Sequence, residues 1–322
     1  MKSLCAFTML LAVMIFGAAA PAAEFPARPI RMIVPYAPGG ASDIFARMVA
    51  EKLTAAWDQQ VVVDNRAGAG GNIGSDLVAK ANPDGYTMLL GTSGSNAVNP
   101  SLYSKLPYDA RRDLALIALV ASTPNILVVR SAHHAKSLRD LLQMAKASPG
   151  KVTYGSSGVG SVLHLSGELL NTLTGVRMVH VPYKGTGPSL IDLLGGQIDS
   201  VFSNLPPVVP YVQDGRMRGI AVTTAERVRA LPSVPTMIEG GVPNYDVASW
   251  FGVMVPAKTP AAVIERINRE VQRILKLPDT KERLATMGAD PMFMSVQEAN
   301  RFFHAEIEKW AKVVKASGAK AD

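Results

Sequence analysis

The sequence predicts an α/β fold in two lobes. Ten short runs of apolar, largely β-branched residues recur along the 322-residue chain, and turns and helical periodicity separate them. Strands that are apolar throughout belong to sheets covered on both faces, and their alternation with helices indicates parallel pairing. Ten strands exceed one comfortable doubly wound sheet. We therefore expect two doubly wound sheets, with the chain crossing between them near Thr123 and again after Thr224.

The predicted strands follow the apolar runs and end at glycine, proline or polar residues. They cover residues 30–35, 61–64, 86–91, 114–121, 126–130, 152–155, 178–182, 199–203, 218–223 and 250–256. The runs 114–121 and 126–130 are separate strands in this scheme, one on each side of the first crossing.

Capping residues and spacing predict the helices. They cover residues 42–56, with Ser42 or Asp43 as the cap, and 137–147, 161–173, 187–194, 260–275, 279–287 and 295–316. Glu298 follows Ser295 by three residues, which is the spacing of a capping box. Because no strand follows the last helices, we expect them to pack back on the first sheet.

The first residues have the layout of a secretory signal peptide. Lys2 precedes an apolar stretch from Ala6 to Phe16, and Ala20-Pro21-Ala22 provides an A-x-A motif for cleavage near Ala22 or Ala23. The alternative, a retained membrane anchor, is disfavoured because this apolar stretch is shorter than the about 20 residues that a spanning helix needs. We expect residues 1–22 to be removed, lobe 1 to comprise residues 23–123 and 225–322, and lobe 2 to comprise residues 124–224.

Composition excludes several classes of function. The formal charge is +7, but the basic residues are scattered, so we expect no nucleic-acid partner. Cys5, the only cysteine, lies within the predicted signal peptide, which leaves the mature chain without disulfides or thiolate chemistry. The five histidines form no metal-ligand pattern, and we expect neither a metal nor a cofactor.

The segment from Ile30 to Arg47 predicts an anion-binding site. An apolar strand leads into a Pro-Gly-Gly turn and then into a helix, so unpaired N–H groups of the first helical turn lie at the edge of a sheet. Asp43 and Arg47 are four residues apart on this helix, which favours a surface ion pair between them. Similar uncharged loops follow other strands and would converge at one sheet edge, at residues 36–42, 65–72, 91–96, 155–161, 183–187 and 203–204.

The sequence does not match known catalytic motifs when the two are compared position by position. Ile73 occupies the last glycine position of the dinucleotide pattern, and the serine loops lack the final glycine of G-x-S-x-G. An exported serine hydrolase remains an alternative, with Ser93 or Ser157 as nucleophile and His164 as base. The sequence offers no convincing acid as third member.

The chain contains, in order, the segments VPYAPGGASDIFAR, VVVDNRAGAGGNIGSDLVAKANPDGYTMLLG, LPYDARRDL, YGSSGVGSVLHLSGELL, VPYKGTGPSLIDLLGGQID, NLPPVVPYVQDGRMRGIAVTTAERVRALPSVPTMIEGG, SWFGVMVPAKTP and EIEKWAKVVKASG. Together they resemble the Bug family of periplasmic solute-binding proteins, which are similar to the receptors of tripartite tricarboxylate transporters. The resemblance implies a two-lobed type II periplasmic binding protein fold with a ligand cleft between the lobes, in a monomer located in the periplasm. It also implies capture of a small carboxylate by lobe closure, where the ligand would be a di- or tricarboxylate, an amino acid or an aromatic acid. The captured ligand would be delivered to the membrane subunits of such a transporter. A sensor that signals to a membrane kinase is an alternative.

Combined with the loops, the resemblance gives a set of expected ligand-binding residues. On lobe 1 they are Pro38, Gly39, Gly40, Ser42, Asp43, Gly91, Thr92, Ser93 and Asn96. On lobe 2 they are Ser156, Ser157, Gly158, Gly160, Ser161, His164, Lys184, Gly185, Ser203 and Asn204. Ser203 stands where many family members have aspartate or alanine, a difference that bears on which solute fits.

Overall fold

The structure, a computed structural model, describes residues 25–317 and 320–321. The predicted signal peptide lies outside these residues. The described strands are β1 (Ile30–Val34), β2 (Val61–Asn65), β3 (Thr87–Thr92), β4 (Leu114–Arg130), β5 (Thr153–Ser156), β6 (Val179–Pro182), β7 (Ser200–Asn204), β8 (Met217–Val222), β9 (Ala248–Pro256) and β10 (Asp290–Pro291).

The described α-helices are α1 (Ala41–Trp57), α2 (Asn72–Ala79), α3 (Asn99–Leu102), α4 (Ala110–Asp113), α5 (Leu138–Ala147), α6 (Val162–Thr174), α7 (Thr186–Leu194), α8 (Val209–Gln213), α9 (Ala261–Lys276), α10 (Pro278–Thr286) and α11 (Val296–Ser317). A π-helical turn, Ser93–Val98, precedes α3. None of the helices in the described residues is long and apolar enough to span a bilayer.

The strands form two sheets that share β4. In the first sheet the order is β2-β1-β3-β9-β4, with β10 on the far edge of β4. In the second sheet β7, β5 and β6 follow the other half of β4, and β8 pairs with the remaining edge of that half. The predicted two-lobed α/β fold is confirmed.

The expectation of purely parallel sheets is wrong. The β1-β2-β3 and β5-β6-β7 groups are parallel, but β9 and β4 run antiparallel to their neighbours. Antiparallel pairing arises where the chain leaves one sheet and returns to it, because β9 enters the first sheet from the second lobe. The sheets are therefore mixed.

β4 is a single strand of 17 residues, where the sequence predicted two strands separated near Thr123. The strand exchanges partners at this point: Pro124 pairs with Ala248 of β9, and Asn125 with Asn204 of β7. Proline has no N–H to donate, and a place where a strand changes partners tolerates that loss. The chain therefore crosses between the lobes without leaving the extended conformation.

Apolar clusters cover both faces of each sheet. On the first sheet, Ile267 and Val271 of α9 pack on one face and Phe303 and Ile307 of α11 on the other. The expectation that the C-terminal helices return to the first sheet is thus confirmed. The capping box is confirmed as well, since Glu298 Oε2 accepts from Ser295 N at 2.8 Å.

The division into lobes at residues 123 and 224 stays a prediction. Leu231 and Val234 pack in one cluster of the second sheet, and Met237 and Tyr245 in the other. This packing favours a second crossing close to Val247, whose N–H donates to Thr223 O. We propose that residues 225–247 move with lobe 2.

The predicted helix starts differ from the structure at α1. The cap is Gly40, not Ser42 or Asp43, and the carboxylate of Asp43 accepts instead from the N–H of Gly39 at 3.2 Å. Four short α-helices were missed: α2, α3, α4 and α8. They have four to eight residues, a length at which tertiary packing rather than local periodicity decides the conformation.

Candidate functional site

The two lobes enclose a small inner pocket at the carboxyl ends of parallel strands. Its lining is Tyr36, Gly40, Ala41, Ser42, Thr92, Ser93, Gly94, Ser157, Ser161, Val162, Leu163, Thr186, Asn204, Ser249 and Phe251. The free volume is about 30 Å³, which is room for a water molecule rather than for an organic acid. In this arrangement the inner pocket cannot hold a whole organic acid.

Three helices from both lobes begin at this pocket. Gly40 caps α1, Ser161 caps α6 and Gly185 precedes Thr186 at the start of α7. The first turn of a helix leaves N–H groups without intrahelical acceptors and carries the positive end of the helix dipole. Their convergence favours an anionic group.

The pocket is polar without being charged. Among the described residues, no lysine, arginine, aspartate or glutamate side chain contributes to its lining. The hydroxyls best placed to bind a ligand are those of Ser42, Ser157 and Thr186. Within the described part of the chain, these three hydroxyls make no hydrogen bond. The site can therefore donate several neutral hydrogen bonds to one carboxylate.

A larger outer cavity of about 260 Å³ adjoins the inner pocket and shares Tyr36 and Ser157 with it. Its remaining walls include the Gly68–Gly71 loop, Tyr103, Gly158, Val159 and residues 182–184. The Tyr36 hydroxyl lies between the two spaces and donates to Gly70 O at 3.2 Å. Burial raises the pKa of Tyr36, so the phenol stays a neutral donor.

The lobes touch directly at the edges of the cleft. Ala37 N donates to Lys184 O at 2.8 Å, and the Tyr103 hydroxyl donates to Val159 O at 3.2 Å. Gly187 at the start of α7 packs against the carbonyl of Pro38 so closely that a Cβ at this position would overlap it. The backbones of the two lobes are thus in direct contact across the cleft.

In the structure, some of the expected ligand-binding residues line the two cavities and the others lie outside them. Those in the inner pocket are Gly40, Ser42, Thr92, Ser93, Ser157, Ser161 and Asn204, and those in the outer cavity are Ser157, Gly158 and Lys184. Outside both linings lie Pro38, Gly39, Asp43, Gly91, Asn96, Ser156, Gly160, His164, Gly185 and Ser203. Their roles as ligand contacts stay predictions.

Asp43 has a supporting role in the Pro-Gly-Gly turn. Its side chain is 8% exposed and accepts hydrogen bonds from Gly39 N, Asn65 Nδ2 and Arg47 Nε at 3.2, 3.1 and 3.0 Å. Burial alone would raise its pKa, but the bonds from Arg47, Gly39 and Asn65 outweigh burial and lower it. The predicted ion pair with Arg47 is confirmed, with 3.0 Å between Nη2 and Oδ1.

Replacing Asp43 with alanine should destabilise the protein by about 1–3 kcal/mol, because the Gly39 and Asn65 donors lose their acceptor. Since the folded pKa of Asp43 is depressed, its stabilisation is complete above the unfolded value of 3.8 and is lost as the pH falls through the folded value. Urea unfolding at neutral and at acidic pH measures both effects. An equal loss at the two pH values would contradict the assignment.

Asn125, which the sequence analysis did not select, organises the floor of the pocket. Its Oδ1 accepts from Asn204 Nδ2 at 2.7 Å and from Ser249 Oγ at 2.9 Å. Both donors line the inner pocket, one on each sheet. Ser249 and Phe251 were missed because they lie in an apolar strand whose pattern predicts core alone.

The serine and histidine geometry does not support the hydrolase alternative. Within the described residues His164 bonds neither Ser93 nor Ser157, and its Nδ1 accepts from Gly160 N at 3.4 Å. His180 does contact a serine, with 2.6 Å between its Nε2 and Ser156 Oγ. Ser156 is fully buried and lines neither cavity, which excludes it as an accessible nucleophile in this arrangement.

Comparison with known families identifies the class of protein around this cleft. The sequence model described as tripartite tricarboxylate transporter family receptor matches residues 45–319. The chain belongs to this receptor family. The receptor is 41% identical over 307 residues to protein BugT of Bordetella pertussis, and the match covers 94% of each chain.

Solved structures agree with the family. The receptor resembles R. palustris Rpa4515 with adipate at a TM-score of 0.88 and 39% identity, over 92% of this chain and 99% of that one. The periplasmic binding protein BugD matches at 0.88 and 33%, over 92% and 99%. MatC (Rpa3494) from Rhodopseudomonas palustris with bound malate matches at 0.85 and 31%, over 90% and 100%. BugD is described as a periplasmic binding protein, and the fold of these relatives confirms the two-lobed architecture.

Proposed function

We propose that this receptor binds a small organic carboxylate, and most favourably a dicarboxylate, between its two lobes in the periplasm. The inner pocket carries the proposal, because uncharged hydroxyls and three helix N-termini from both lobes converge on it. Relatives of the same family and fold have been solved with adipate and with malate, each a dicarboxylate.

The two cavities suggest how such a ligand would lie. One carboxylate would occupy the inner pocket, and the carbon chain would extend past Tyr36 and Ser157 into the outer cavity. The inner space alone is too small for the whole molecule, so entry requires the lobes to separate and then to close over the ligand. The closed form would be presented, as a monomer, to the membrane subunits of a tripartite tricarboxylate-type transporter.

The binding test uses the purified mature chain and isothermal titration calorimetry with adipate, malate, a matched monocarboxylate and a neutral sugar. We expect heat of binding with at least one dicarboxylate and none with the sugar. Ser157→Ala should weaken that binding by about 1.5–3 kcal/mol, or roughly 10- to 150-fold, because its free hydroxyl meets a charged group.

Ser200→Ala is the matched control. Ser200 is buried at the start of β7, its hydroxyl donates to Thr153 O at 2.9 Å, and it lies outside both cavities. This variant should bind as the wild type does. Binding of sugars in preference to acids, or an equal loss in the two serine variants, would rule out the proposed site.

A further inference from the structure

A stack of three rings lies behind the lobe 2 loop, defined here as residues 156–161. The Tyr154 ring lies 5.1 Å from that of His180, and the His180 ring lies 4.0 Å from that of His164, with interplanar angles of 28° and 26°. His164 belongs to α6 and His180 to β6. Because Tyr154 belongs to β5, the stack joins three elements underneath the loop that supplies Ser157 to both cavities.

Both histidines hold the backbone of this loop. Gly160 N donates to Nδ1 of His164 at 3.4 Å. His180 Nε2 lies 2.6 Å from Ser156 Oγ, and that oxygen accepts from Gly158 N at 3.1 Å. The loop thus depends on two imidazoles at two points, one on each side of Ser157.

The charged and titratable groups around the pair are few. Glu168 Oε1 lies 4.0 Å from His164 Nε2 and also accepts from the Tyr154 hydroxyl. The Tyr154 and His164 rings flank His180, and Tyr245, which interacts with Tyr154, donates to Ser166 O. Within the described part of the chain, Glu168 is the one carboxylate that favours a proton on the pair.

Burial has a larger effect on the pKa of the two histidines than the Glu168 carboxylate has. It lowers the pKa of His164 below 6.5, although Glu168 acts in the opposite direction. Burial and the neighbouring His164 together lower the pKa of His180 to about 3. At neutral pH both rings are uncharged, which is the state in which His164 Nδ1 can accept a hydrogen bond.

We propose that His164 and His180 are positioning residues for ligand binding, and that the neutral stacked pair holds the lobe 2 loop in its ligand-binding conformation. This inference rests on the proposed function, since it concerns regulation of that same cleft. A proton on Nδ1 of His164 would place a donor against the Gly160 N–H. A charge on either ring would also repel a charge on the other across 4.0 Å.

Residues of lobe 1 pack against the start of α6, beside His164. The neighbouring Val162 and Leu165 pack in the same cluster as Trp250 of β9, and Gly160 lies against Asn99 of lobe 1. Because closure removes water from this end of α6, the closed form binds protons more weakly than an open form. Ligand affinity should therefore fall as the pH falls below the ordinary histidine pKa of 6.5.

NMR titration of the ligand-free protein tests the inference without reference to any ligand. Amide signals of Gly158 and Gly160 are followed together with the histidine ring signals from about pH 7.5 to about pH 4.5. We expect both amides to shift with the midpoint of His164. In the double variant His164→Asn and His180→Gln, which retains hydrogen-bonding groups but cannot titrate, the amides should not shift. His164→Asn alone gives the same test if the double variant fails to fold.

His133→Gln is the matched control. His133 is buried in the same lobe, but its Nδ1 accepts from Ala135 N and it faces Asp199 rather than the loop. This variant should keep the wild-type titration of both glycine amides. Amides that do not respond while His164 titrates, or a double variant that responds like the wild type, would overturn the inference.

Calorimetry with adipate and malate over the same pH range gives the second readout. In the double variant, any loss of affinity at low pH reports the titration of the ligand itself. As the pH falls, we expect the wild type to lose roughly fivefold or more in affinity beyond that loss. Absence of binding at every pH would contradict the proposed function while the amide titration still decides the role of the histidines. Parallel affinity profiles in both proteins would overturn the coupling to binding.

Discussion

Replacing Gly187 with alanine should weaken dicarboxylate binding by roughly 5- to 150-fold, which corresponds to about 1–3 kcal/mol of overpacking. The added methyl group would overlap the backbone carbonyl of Pro38 on the opposite lobe. Backbone cannot rotate away as a flexible side chain can, so the closed form must absorb the strain or open. Because position 187 lies inside α7, alanine should leave lobe 2 itself folded.

Calorimetry with adipate and small-angle scattering measure the two consequences, a lower affinity and a larger radius of gyration in the presence of ligand. Gly195→Ala is the control at the other end of α7, where the nearest atom to an added Cβ is Ile191 O at 3.4 Å, in the same lobe. The control should bind and close like the wild type. Wild-type affinity in the Gly187 variant would show that the lobes do not need this contact to hold the ligand.

Replacing Asn125 with leucine should destabilise the fold by about 1–3 kcal/mol for each of two buried donors that lose their acceptor. Those donors are Asn204 Nδ2 and Ser249 Oγ, which belong to different sheets and both line the inner pocket. We therefore expect lower stability and lower ligand affinity in the same variant. Chemical unfolding and calorimetry with adipate measure the two quantities separately.

Ser166→Ala provides the comparison, because it leaves the Asn125 Oδ1 acceptor and both of its donors in place. It removes the weaker bond from Asn125 Nδ2 to Ser166 Oγ at 3.4 Å and the bond that Ser166 Oγ donates to Val162 O at 2.8 Å. We expect a smaller loss of stability and little change in affinity. If both variants lose the same small amount, the amide oxygen of Asn125 is not the organising acceptor at the junction of the sheets.

The sequence predicted the parts of the fold that depend on local pattern. Apolar strands and the helix that Ser161 caps appear where expected, because continuous apolar runs and capping residues act over a few residues. The continuity of β4 could not be predicted, since Pro124 is tolerated only because β9 and β7 exchange places beside it. The antiparallel return of β9 depends likewise on contacts distant in sequence.

The residues of the site also divide into those predicted from local pattern and those that depend on contacts distant in sequence. Gly40 and Ser42 line the pocket as the strand-turn-helix pattern suggested, because a helix start exposes N–H groups wherever it occurs. Phe251 reads as core in a buried strand, and only the closing of the lobes makes it a pocket wall. His180 was predicted only as part of the strand 178–182, because its contact with Ser156 joins neighbouring strands across the sheet.

The shared strand β4 also determines how the lobes can move. Thr123 pairs with Ser249 in one sheet, and Asn125 pairs with Asn204 in the other, so no slack segment separates the two bodies on this strand. The proposed opening of the lobes would then have to twist this hydrogen-bonded strand, so the sheet itself would oppose large changes of angle. In the proposed function, the ligand would shift the balance between angles that the shared strand already allows.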